Sequence, residues 1–240
     1  MDTLNNVAGS PEETLNLPGD GFAPSTAANP LQGRIGVSLK NVLASGFALP
    51  PGFHWYAFRV TYGRELEAEE LINKQGFLTY VPKRKTLREV NGKRKKVVES
   101  MVANLLFVLT DRKTALLLTS QPLKSVPRRK DKAPLELHFM YDHTCKDEFG
   151  RDILVTIPHF QMVNFIRFTI EGDESIRNVT GEDVRFRQGE QVMITEGTFK
   201  GVVGRVARIN RQTCVVVGLQ SICLLATAYI PKAFLRSIGT

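Results

Sequence analysis

The sequence predicts an α+β domain followed by a small all-β barrel. Three observations carry that expectation. An aromatic, β-branched run, HWYAFRVTY, begins at His54 and opens a series of segments patterned alternately as strand and helix. A polar stretch with two glycines, residues 171–188, ends that series. Beyond it only short strand-like runs remain, separated by turn signals, which is the pattern of a small barrel.

Residues 1–52 are rich in Gly, Pro, Ser, Ala and Asn and hold no Trp or Tyr. Such a stretch buries too little apolar surface to offset its ordering entropy, so a disordered or loosely docked tail is expected. Within it, IGVSLKNVLASGF is apolar enough to dock locally, and Pro50, Pro51 and Gly52 then break the chain. The first strand follows at HWYAFRVTY. GRELEAEELINKQG places Leu66, Ala68, Leu71 and Ile72 at helical spacing, with Gly76 as the stop. Residues 77–81 read as a strand. Asn91-Gly92 marks a two-residue hairpin turn, after which residues 97–109 return as one strand ending in NLLFVL. DRKTALLLTSQ is a short helix capped by Asp111. After the proline-bounded loop SVPRRKDKAP come a strand in LELHFMY, a turn region in DHTCKDEFGRD and a strand in ILVTIP. Pro158 then starts a helix with Met162, Phe165 and Ile166 on one face. Residues 53–170 thus form an antiparallel sheet with flanking helices. Residues 171–188 form a linker, and 189–240 the barrel, with strands at QVMI, VGRVARI, TCVVVGL and CLLATAYI.

Only three cysteines occur in 240 residues, Cys145, Cys214 and Cys223, without metal-site spacing or an even number. A disulfide framework is not expected, and a reducing compartment, the cytoplasm, fits best. No apolar run reaches the ~20 residues that a membrane helix needs, and the N-terminus carries neither the basic nor the apolar segment of a leader.

The formal net charge is +8, and it is local. PKRKTLREVNGKRKK holds Lys83, Arg84, Lys85, Arg88, Lys93, Arg94, Lys95 and Lys96 against Glu89 alone. Lys124, Arg128, Arg129, Lys130 and Lys132 form a second cluster with Asp131. Those 13 cations face two acids, while the remaining 19 basic and 22 acidic residues leave the rest slightly acidic. Localised charge points to phosphates; the alternative is a hairpin kept soluble by its own charge. No recognition-helix or zinc-finger pattern accompanies it, so base readout is not indicated.

Gly197, Gly201 and Gly204, with Lys200 among them, invite a phosphate-loop reading. That loop needs Lys-Ser/Thr after its last glycine at a helix start, and here Val and Arg lead into strands. The three are read instead as turn glycines of the barrel, with Lys200 at a solvent-facing tip. His138, Asp142, His143, Cys145, Asp147 and Glu148 are metal-capable types, but their spacing matches no common zinc pattern, and a polar hairpin turn is the reading kept. No nucleophile elbow or Cys/His pair suggests catalysis, and no cofactor is expected.

The order of these parts resembles the NusG family. HWYAFRVTYGRELEAEELI is similar to the first strand and helix of its N-terminal (NGN) domain. VANLLFVLTD resembles the central strand, with Ala103 in place of a proline, Asn104 kept, and Leu105 in place of a tyrosine. GEQVMITEGTFKGVVGRVARI resembles the KOW motif. The resemblance spans residues 53–240. It looks closest to specialised RfaH-like and polysaccharide-operon antiterminator paralogues, from which the long N-terminal tail departs. It implies a non-enzymatic, monomeric transcription elongation and antitermination factor. The NGN domain would bind the RNA polymerase clamp through an apolar concavity and suppress pausing or termination at specific long operons. Candidate polymerase contacts are Phe58, Arg59, Tyr62, Tyr80, Leu105 and Phe107; for Phe58 and Phe107 sheet core is an equal alternative. Arg112, Lys113 and Thr114 would meet non-template DNA, and the basic hairpin would extend that reach to DNA or nascent RNA. The KOW barrel would recruit a small-subunit ribosomal protein or a termination factor through Phe199 and Lys200, unless Phe199 plugs the barrel. Refolding of the barrel into helices is not expected, because Val, Ile and Thr fill residues 192–217. The competing reading is a KOW-containing RNA-binding module of ribosome assembly or translation.

Overall fold

The computed structural model describes residues 34–90, 92–123, 133–180, 184–209, 211–219, 222–227 and 229–238. Residues 1–33 of the expected tail and the second basic cluster at 124–132 lie outside the described residues. Helix α1 (Leu39–Val42) is a single turn capped by the Ser38 side chain. It belongs to a docked segment: Val42 is buried, and Ile35, Val37, Leu43, Phe47 and Leu49 pack against the core.

Strand β1 (Phe53–Val60) leads through a 3-10 turn into helix α2 (Glu65–Lys74), and strand β2 (Leu78–Tyr80) follows. Strands β3 (Lys83–Val90) and β4 (Lys93–Ser100) precede β5 (Leu105–Asp111) and helix α3 (Arg112–Ser120). Then come β6 (Leu137–Phe139), β7 (Tyr141–Lys146), β8 (Asp152–Leu154), β9 (Thr156–Ile157) and helix α4 (His159–Thr169). The main sheet runs β2-β5-β1-β6, and β9 shares the β6 side of β1. Alternation along the strands divides their side chains between two cores. Tyr56, Phe58, Val60, Leu106 and Val108 pack with Ala68 and Ile72 of α2 and Ala115 and Leu118 of α3. Trp55, Ala57, Leu105, Phe107 and Leu109 pack with α4 and the docked segment.

Both edges of this sheet are interrupted. Between β2 and β5 the chain leaves as a two-stranded ribbon, β3–β4; between β6 and β9 it leaves as a second, β7–β8. The single strand expected over residues 97–109 is therefore two strands in different sheets, and the expected turn at DHTCKDEFGRD is a hairpin. Asn104 makes the first break. Its φ is +60°, a left-handed conformation that Asn tolerates better than most residues. Its carbonyl accepts from the Val60 amide at 2.9 Å and its Oδ1 accepts from the Gly63 amide at 2.7 Å. The turn that launches β5 is thus tied to the end of β1.

The C-terminal part contains β10 (Arg177–Val179), β11 (Arg185–Ile194), β12 (Val203–Ile209), β13 (Gln212–Leu219), β14 (Cys223–Ala226) and β15 (Leu235–Ser237). They form one antiparallel sheet in the order β10-β14-β13-β12-β11-β15. The expected linker at 171–188 therefore holds an edge strand and the start of another. Its polar Arg177 and Asn178 gave β10 no hydrophobic alternation to read.

This sheet seats against α4. The Phe168 and Phe199 rings lie 5.2 Å apart. The Asn164 carboxamide makes two bonds to one residue of β12: Nδ2 donates to the Val203 carbonyl at 2.6 Å, and Oδ1 accepts from the Val203 amide at 2.8 Å. One hydrophobic cluster accordingly runs from Trp55 and Phe107 through Phe165 and Phe168 to Phe199, Val206 and Val215. Among the described residues no helix is long and apolar enough to cross a membrane.

Candidate nucleic-acid interface

The β3–β4 ribbon grows from its turn. Gly92 has a φ of +72°, and the register runs outward from Val90↔Lys93 to Lys83↔Ser100 without a shift. Near the sheet the cations are tied down. Lys83 Nζ lies 2.5 Å from Glu69 Oε2 on α2. Arg84 Nε and Arg88 Nη2 donate to the two oxygens of Glu99, at 2.9 and 2.5 Å. Burial pushes the Glu99 pKa upward, but the hydrogen bonds and charges of both arginines outweigh it and hold the carboxyl below its ordinary value. Farther out, Lys85, Lys93, Arg94, Lys95 and Lys96 are exposed and have no ion pair among the described residues. The ribbon is anchored at its root and cationic toward its tip.

Glu99 offers a direct test of this division. Its ion pairs are complete above the ordinary carboxylate range and are lost as pH falls through its lowered pKa. Glu99→Gln should release both arginines at neutral pH and steepen the salt dependence of nucleic-acid binding by about one to two phosphates' worth of slope. Titrations at several salt concentrations read this; an unchanged slope would show that Arg84 and Arg88 stay away from phosphates.

The first turn of α3 adds a second cationic feature. Asp111 caps it, its Oδ1 accepting from the Thr114 amide at 3.0 Å and its Oδ2 from the Thr114 hydroxyl at 2.8 Å. Burial acts to raise the Asp111 pKa, and these bonds with those from neighbouring amides lower it overall. Arg112 and Lys113 are exposed beside the cap, where the helix dipole disfavours cations. Thr114 is buried and serves the cap. The same helix exposes Leu116 and Leu117.

The other predicted residues separate sharply. Phe58 is fully buried under α2 and α3 with its ring 5.2 Å from that of Phe139. Phe107 is fully buried on the opposite face, 5.8 Å from Phe165. Leu105 is buried beside it, and Tyr80 is buried with its hydroxyl 2.5 Å from that of Thr169. Desolvation drives the Tyr80 pKa well up, against the pull of that hydrogen bond. These four side chains do not form an open concavity, because α4 or the α2–α3 layer covers each. Arg59 is exposed, and Tyr62 lies in the 3-10 turn Thr61–Gly63. Phe199 is neither an exposed tip nor confined to the C-terminal sheet; it is buried against Phe168. Lys200 beside it is exposed.

The glycine cluster divides too. Gly197 and Gly201 have φ of +82° and +85° and make the turn between β11 and β12. Gly204 is not a turn residue. It lies inside β12, where an added Cβ would sit 2.4 Å from Val215 Cγ1 and 2.8 Å from the Val216 carbonyl.

In the second ribbon, the metal-capable residues serve its own structure. His143 Nδ1 lies 2.7 Å from Asp152 Oδ2, Lys146 pairs with the same carboxylate, and Asp142 accepts from the Thr144 amide. Asp147 accepts from the amides of Phe149 and Arg151, both at 2.9 Å, and from Arg151 Nε. Those bonds stiffen a tip at which Phe149 stands 71% exposed. The anchors Glu69 and Glu99 and the Asn164 contact were not among the predicted residues. Glu99 had a signal, since counting outward from Asn91-Gly92 places it opposite Arg84. Asn164 had none.

Residues 53–138 match the family model described as "Transcription termination factor nusG", and residues 188–218 match the model of the KOW motif. No curated protein matches the chain.

Proposed function

Since the chain belongs to the NusG family and is a transcription factor of the elongation and antitermination kind, we propose that it binds RNA polymerase through its N-terminal domain, holds nucleic acid with the β3–β4 ribbon and suppresses pausing or termination at specific long operons. The observation that carries this reading is the unpaired charge of the ribbon, projected from the edge of the family-matched sheet. The exposed Arg59, Arg112 and Lys113 extend the same polarity over the domain. With Phe58, Tyr80, Leu105 and Phe107 covered, Leu116 and Leu117 are the apolar side chains that α3 offers to the polymerase. The KOW region reaches a ribosomal or termination-factor partner through the turn bearing Lys200. The factor acts as a monomer, without a cofactor and without catalysis of its own.

Transcription through an intrinsic terminator with purified polymerase tests the reading. Read-through should rise on addition of the protein, and immobilised protein should retain the polymerase. Salt-sensitive binding to ribosomal RNA with no polymerase association would replace it with a role in ribosome assembly or translation.

A further inference from the structure

The shape and chemistry of the β3–β4 ribbon narrow its ligand, given that it binds nucleic acid as proposed above. Residues 83–100 contain no Phe, Tyr, Trp or His. Proteins that hold single strands do so largely by stacking bases on aromatic side chains, and this ribbon has no such platform. Its attraction is for phosphates alone. The strands are 8 residues each, so the ribbon extends about 27 Å.

Its charges point both ways. Apart from the cations held by Glu69 and Glu99, the register places Lys93 and Lys95 on one face and Lys85, Arg94 and Lys96 on the other. Among the described residues, neither face is covered by a third strand or a helix along its outer half, where Leu87, Arg88 and residues 93–96 are exposed. A ribbon lying on one phosphate strand would leave the cations of one face in water. A ribbon inside a groove meets a phosphate strand on each side. The major groove of B-form DNA, about 12 Å wide, admits a two-stranded ribbon. The major groove of A-form RNA is too narrow.

We propose that the β3–β4 ribbon is a duplex-DNA arm that enters the major groove and neutralises phosphates of both strands, with little dependence on sequence. The whole chain is titrated, by fluorescence anisotropy at several salt concentrations, with a DNA duplex, one of its single strands, and an RNA duplex of matching sequence. The DNA duplex should bind at least ten-fold tighter than either alternative. Replacing Lys93, Arg94, Lys95 and Lys96 together by Gln should weaken duplex binding about a hundred-fold and reduce the salt slope by about 3 to 4, as four lost phosphate contacts require. Lys232→Gln with Arg236→Gln, in the 3-10 turn before β15 and in β15 itself, should leave the slope unchanged. Equal or tighter ribbon-dependent binding to the single strand or the RNA duplex overturns the duplex assignment and leaves the nucleic-acid role standing. Absence of binding to all three, or binding that the four-fold variant does not alter, overturns both.

Discussion

Phe107→Ala should destabilise the protein by about 3–5 kcal/mol, the cost of deleting a large aromatic from a packed core. The ring is fully buried between the main sheet and α4, in edge contact with Phe165. Denaturant titration should show a lower midpoint, and any loss of polymerase binding should track the unfolded fraction. Phe58→Ala should behave alike from the opposite face, where Tyr56, Phe58 and Phe139 pack together. The competing expectation is distinct: a Phe107→Ala protein of unchanged stability that fails to bind polymerase would place the ring at a docking surface. Arg59→Ala and Leu117→Ala, both at exposed positions, are the informative counterparts, since neither removes a buried contact.

Gly204→Ala should be nearly as damaging to the C-terminal sheet, at about 3 kcal/mol or more, because overpacking against backbone cannot be relieved by a rotamer change. The new methyl group meets a stiff β-branched side chain on Val215 and the immovable carbonyl of Val216. Gly201→Ala provides the contrast. Among the described residues nothing lies within 4 Å of its Cβ position, and the cost there is conformational, about 1–2 kcal/mol for a left-handed φ. Thermal unfolding of the two variants separates a steric requirement from a backbone one. Similar losses for both would show that β12 and β13 can move apart.

Much of this architecture was legible in the chain. The Asn91-Gly92 turn set the ribbon's register, and that register alone paired Arg84 with Glu99. The helices α2, α3 and α4 followed from apolar spacing and from Gly76, Asp111 and Pro158 as terminal signals. What escaped was of three kinds. A left-handed residue splits β4 from β5 where strand propensity runs on unbroken, and Asn104 announces this only weakly. Short edge strands such as β10 have too few buried positions to show a period. Alternation assigns Phe58 and Phe107 to opposite faces but says nothing of what covers each face; that depends on α2 and α3 for Phe58, and for Phe107 on α4 and a segment some sixty to seventy residues before it, which meet only in the fold. The candidate site was legible where it rests on charge and turn chemistry, and illegible where it rests on layers.

The Asn164–Val203 contact carries a consequence for measurement. The Val203 amide donates to the Asn164 side chain on α4, so its hydrogen bond belongs to the seam between the two parts of the chain. Its exchange with deuterated solvent therefore requires the seam to open, whereas the Val215 amide donates to the Thr227 hydroxyl within the C-terminal part and exchanges only when that part itself loosens. One proton thus clocks how often the C-terminal sheet lifts from α4, in the intact protein and without any added label.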